Sequence, residues 1–145
     1  MILRLKELIL VALFASAIWA CASPQSKDFD AGGPAGIWNL SGVDEIGTTW
    51  SATLVLAQGE GGQISGHADW VGDNGASGRE YVEGTFDAQT RATHFSGTKV
   101  KHSDGVVRCE YSATVSKDGT RLEHGKWTDK DESIPGTWEA FRLSQ

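Results

Sequence analysis

The stretch Val106-Val107-Arg108-Cys109-Glu110-Tyr111-Ser112-Ala113-Thr114-Val115 decides how the chain is read. Val107, Cys109, Tyr111, Ala113 and Val115 occupy every second position, with Arg108, Glu110, Ser112 and Thr114 between them. Successive side chains of a β-strand point to opposite faces, so this alternation predicts a strand with one apolar and one polar face. A helix would instead repeat its apolar residues three and four positions apart, and no such run occurs beyond Gly36.

Working outward, the quoted strand extends over 106–116. The same alternation predicts strands at 36–41, 49–57, 63–70, 79–87, 94–101, 121–128 and 136–143. Turn signals stand between them: Gln58-Gly59-Glu60-Gly61-Gly62, Asp73-Asn74-Gly75, Ser103-Asp104-Gly105 and Lys117-Asp118-Gly119-Thr120. Asn-Gly and Asp-Gly supply the left-handed backbone positions of tight hairpins. Short links force neighbours to be antiparallel, so eight strands in sequence order form a meander, and closing it removes both exposed edges. Gly36-Ile37-Trp38 is echoed by Gly136-Thr137-Trp138, which predicts pairing of the first and last strands. Ile64-Ser65-Gly66 is echoed by Phe95-Ser96-Gly97, placing glycine where strands bend sharply.

A chain of 145 residues has room for one such domain, and its 18 glycines suit strands and tight turns. Ahead of it, residues 1–20 carry Arg4 and Lys6, then an apolar stretch from Leu8 to Ala20, the layout of a secretory signal peptide. The stretch is too short to span a bilayer as a helix, and no later stretch is long and apolar enough. Residues 21–35 read as a flexible tether and 36–145 as the barrel domain. Cleavage ahead of Cys21 removes Arg4, Lys6 and Glu7 and takes the net charge from −6 to −7. So acidic a domain repels phosphate backbones and anionic head groups, which excludes nucleic acid and leaves membrane contact to a lipid anchor alone.

Two resemblances sharpen this. Ile18-Trp19-Ala20-Cys21 resembles the lipobox of bacterial lipoproteins, which implies acylation of Cys21 and a place in the cell envelope, with the outer membrane or cell surface open to it. The alternative is cleavage after Ala20-Cys21-Ala22, releasing a soluble secreted or periplasmic protein. Either route leaves Cys109 without an intramolecular disulfide partner, as a small buried hydrophobe. The domain itself resembles the lipocalin and avidin superfamily of eight-stranded up-and-down barrels, through Gly36-Ile37-Trp38, Gly62-Gln63-Ile64-Ser65-Gly66 and Tyr81-Val82-Glu83-Gly84-Thr85-Phe86-Asp87. The lipocalin likeness implies that Arg142, on the last strand, covers Trp38 at the closed end.

Five tryptophans, Trp38, Trp50, Trp70, Trp127 and Trp138, lie beyond the leader. An eight-stranded barrel is either filled by side chains or left open for one small ligand. Trp70, Tyr81 and Trp127, near strand ends or among polar neighbours, are the candidate ligand-binding residues. His67, His94, His102 and His124 lack the spacing of a metal site. Glu110, Glu123 and Glu139, accompanied by Arg108, Arg121 and Arg142, read as a cross-strand charge ladder. No nucleophile elbow or phosphate loop is present, so neither catalysis nor a cofactor is expected. The expectation is an all-β envelope lipoprotein whose barrel binds a small apolar or amphipathic ligand. The alternative is a protein-interaction module, an inhibitor or assembly accessory, using the barrel surface against an envelope protein.

Overall fold

The computed structural model of the chain describes residues 32–130 and 133–143. The leader, Cys21 and the tether up to residue 31 lie outside the described residues. Eight strands follow in order: β1 (Gly36–Asp44), β2 (Thr49–Gln58), β3 (Gln63–Gly72), β4 (Ser77–Phe86), β5 (Ala92–Asp104), β6 (Cys109–Val115), β7 (Arg121–Asp129) and β8 (Pro135–Arg142). Each pairs antiparallel with the next, and β1 pairs with β8, so the sheet closes into an up-and-down barrel. The closing seam sets Trp38 against Arg142 and Gly42 against Trp138.

Turn chemistry explains most links. Gly75 (φ 89°) and Gly119 (φ 71°) take the left-handed positions that the Asn-Gly and Asp-Gly signals predict. The β4–β5 link uses no glycine. There Asp87 Oδ1 accepts the backbone N–H groups of Gln89 (2.8 Å) and Thr90 (3.3 Å), and Arg91 takes the left-handed position at φ 61°.

One half of the barrel is packed solid. Trp38, Leu40, Leu54, Leu56, Ile64, Val82, Val115, Leu122 and Ala140 are all buried and belong to one cluster. Arg142 caps this end, its guanidinium 4.1 Å from the centre of the Trp38 ring, as the lipocalin resemblance implies. It donates to Gly119 O (2.7 Å), Gly33 O (2.7 Å) and Ala35 O, while Trp38 Nε1 donates to Pro34 O (2.9 Å). The end of the expected tether is therefore docked: Gly33 and Pro34 are buried against the barrel base.

Two departures from strict alternation matter above this base. In β7 the register slips between Leu122 and Gly125, with His124 at φ 57°, so Glu123 and His124 both turn outward and Gly125, Trp127 and Asp129 turn in. The second corrects the expectation for the opening stretch. Strand β6 starts at Cys109, and the preceding residues form a loop free of alternation, so Val106 enters the core while Val107 is 36% exposed. Cys109 is half-buried rather than fully enclosed. The charge ladder is also smaller than expected: Arg121 pairs with Glu123 (2.6 Å) and Lys130 with Glu110 (3.6 Å), whereas Arg142 is committed to the base.

Candidate functional site

Above the packed half the barrel opens into a cup of about 300 Å³. Its rim comes from the loops β1–β2, β3–β4, β5–β6 and β7–β8, contributing Ile46, Thr48, Asn74, Val107 and Ile134. Its walls and floor are aromatic: Trp50, Trp70, Tyr111 and Trp127. Trp70 is the hub. It stacks on Tyr111 (centroids 6.1 Å apart, planes 15°) and meets Trp127 (5.9 Å) and Trp50 (6.2 Å) edge to face. Tyr111 in turn stacks on Phe95, with Trp138 against both from below.

The rings have room because glycines face them. A Cβ at Gly136 or Gly42 would collide with the Trp127 indole, so these positions leave the width that the ring fills.

One charged side chain belongs to this layer. Glu80 points inward between Arg79 and Tyr81 and is wholly buried. Its carboxylate accepts from Tyr111 Oη (2.5 Å), Trp70 Nε1 (3.3 Å) and the Cys109 backbone N–H (2.8 Å). Burial pushes the Glu80 carboxyl above its ordinary value, and these three donors pull against that rise. Burial, with Glu80 close by, also drives the Tyr111 hydroxyl well above the usual tyrosine range. Gly97 on β5 makes the space, since a Cβ there would overlap Glu80 Oε1. Two more carboxylates line the wall, Asp44 and Asp129. Burial pulls the Asp44 carboxyl upward, but hydrogen bonds from the Trp50 indole (3.0 Å) and from Thr48 outweigh it and hold the group below its usual value.

The sequence-predicted residues divide. Trp70 and Trp127 meet in the cup, whereas Tyr81 lies on the outer face. Its ring sits beside His67 (6.2 Å) and under the Lys101 ammonium (5.6 Å), next to the Arg79–Asp69 pair (2.6 Å). Alternation is the reason: with Glu80 and Val82 inward, Tyr81 must point out. Sequence reasoning passed over Glu80, Tyr111, Trp50 and Asp44 as site residues. The signal for Glu80 was present, since it shares parity with Val82 and Phe86.

No family model matches the chain, and no curated protein does. Among the solved structures that resemble it are redesigned and de novo designed β-barrels. A redesigned β-barrel, mFAP1, bound to DFHBI, superposes with a TM-score of 0.60 at 17% identity, over 74% of this chain and 94% of that one. Its counterpart mFAP0, also bound to DFHBI, gives 0.59 at 17% identity, over 74% and 97%. A fluorescence-activating β-barrel designed de novo gives 0.59 at 13% identity, over 78% and 96%. At such identities the likeness is one of fold, that of small β-barrels which include ligand binders.

Proposed function

We propose that this chain is a non-catalytic binding protein of the cell envelope, anchored by lipid on Cys21, whose barrel holds a small planar apolar or amphipathic molecule in its cup. The observation that carries the reading is the floor and wall of the open half, where Trp70, Tyr111, Trp127 and Trp50 enclose about 300 Å³ above a packed base. Small-molecule sites are usually concave, aromatic-walled and equipped with a few polar groups, which describes this cup. The barrels mFAP1 and mFAP0, bound to DFHBI, support it as examples of a similar fold with a small ligand. The inward carboxylate of Glu80 is engaged by three donors, which favours binding over chemistry.

Calorimetric titration with acridine, a neutral three-ring heteroaromatic at alkaline pH, tests the cup. Saturable binding that Trp70→Ala or Trp127→Ala weakens without unfolding the domain supports the proposal, and binding unaffected by either substitution overturns it. Fractionation of cells producing the full chain tests the anchor: Cys21→Ser should release the protein from membranes, since acyl chains contribute about 0.8 kcal/mol per buried CH₂. A Ser variant that stays with the membrane removes the anchor from the reading.

A further inference from the structure

The cup is not electrically neutral. Its lining includes three carboxylates, Asp44, Glu80 and Asp129, and among the described residues that line it there is no Lys, Arg or His. The nearby Lys130 ammonium lies 3.6 Å from Glu110 and also acts through space on Glu80, one positive charge against the three carboxylates of the cup. Glu80 is shielded completely from solvent, and the three groups bonded to it are neutral donors: an indole N–H, a phenol and a backbone N–H. Those donors fit an ionised acceptor and spread its charge without cancelling it. Above it stand the ring faces and edges of Trp70, Tyr111 and Trp127, and aromatic faces attract cations. A carboxylate beneath aromatic walls therefore acts in a low dielectric, where its attraction for an entering positive charge is far stronger than in water.

From this geometry we infer that the cup selects a cationic aromatic or aromatic-amine ligand, one carrying a protonated or quaternary nitrogen on a flat ring system. The inference rests on the cup being a binding site, as proposed above, and adds the sign of the ligand's charge. The flat ring body lies among the indoles, and the positive nitrogen faces the Asp44, Glu80 and Asp129 side. An anionic analogue of equal shape meets the same three carboxylates and is rejected, so sign is read by repulsion as well as attraction.

Three probes of nearly one shape separate charge from fit: neutral acridine, the permanent cation 10-methylacridinium and the anion acridine-9-carboxylate, each titrated into the domain at one mildly alkaline pH. The cation should bind at least about tenfold more tightly than acridine, which is about 1.4 kcal/mol, with the carboxylate weakest. Glu80→Gln turns an amide N–H₂ toward donors that the carboxylate accepted and so disturbs the rings for every probe. The readout is therefore the ratio of cation to acridine affinity within the variant, which should fall to within about twofold of one. Retained acridine binding also reports that this variant is folded. If Glu80→Gln does not fold, Asp44→Asn at the rim serves as the second variant and should reduce the same advantage. Equal affinities for the three probes, or preference for the anion, overturn the charge inference and leave the cup standing. Saturable binding by none of them overturns both.

Discussion

Replacing Arg142 by Ala removes a side chain that joins the barrel's first strand, its last strand, the β6–β7 turn and the incoming chain. Four interactions go with it: the face of Trp38 at 4.1 Å and hydrogen bonds to the carbonyls of Gly119, Gly33 and Ala35. The ring contact contributes about 1 kcal/mol. Hydrogen bonds from a charged group are worth more than neutral ones, but this end is half open to water, so about 1 kcal/mol each is appropriate. Arg142→Ala should therefore cost about 3 to 4 kcal/mol, a large part of the 5 to 15 kcal/mol typical of a domain. Lys keeps the charge and loses the planar fork, so Arg142→Lys should cost about half as much. Urea unfolding followed by tryptophan fluorescence measures both. Hydrogen exchange localises the damage, because the amide of Arg142 donates to Thr120 O and that of Leu143 to Ile37 O, and both should exchange faster. A loss below about 1 kcal/mol in Arg142→Ala would show that the hydrophobic core holds the base alone and refute the reasoning.

Three further outcomes follow from the cup. Because burial raises the folded-state pKa of Glu80, the stability linked to it is fully present below its ordinary value of 4.5 and is lost as pH rises through the folded value. Glu80→Gln lacks that dependence, so its stability relative to wild type should climb over this window in denaturant titrations; a flat or falling difference contradicts the assignment. Gly97→Ala should cost about 1 to 3 kcal/mol by driving a methyl into the Glu80 carboxylate, and much less in a Glu80→Ala background, a coupling that a double-mutant cycle reads directly. Cys109, half-buried at the cup wall, should react with N-ethylmaleimide more slowly in the folded domain than after unfolding, and more slowly still under saturating 10-methylacridinium. Labelling indifferent to the occupant would place the ligand elsewhere.

The barrel was legible because period-two patterning and turn chemistry are local signals. Gly36-Ile37-Trp38 and Gly136-Thr137-Trp138 do mark strands that pair, and Arg142 does lie on Trp38. The site was less legible because it depends on side-chain direction, which a single inserted residue reverses. Strict alternation from Leu122 would send Trp127 outward, and only the slip at His124 brings it in. Val107 misled for the opposite reason, since it lies in a loop where alternation has no meaning. Glu80 escaped notice because a carboxylate is ordinarily assigned to the wet face. Its cost of burial is offset only by Tyr111 on β6, Trp70 on β3 and the Cys109 amide, partners that come together only once the barrel has closed.

The chain enters the barrel at Gly33 and Pro34, beside Trp38 and Arg142, while the cup opens at the opposite pole. Handle and bowl are thus at different ends of one rigid body. Residues 33 and 34 leave the barrel from the pole that lies away from its mouth. The clasp at Arg142 is the joint through which any pull on Gly33 reaches the barrel, and such a pull meets the packed base before it meets the cup.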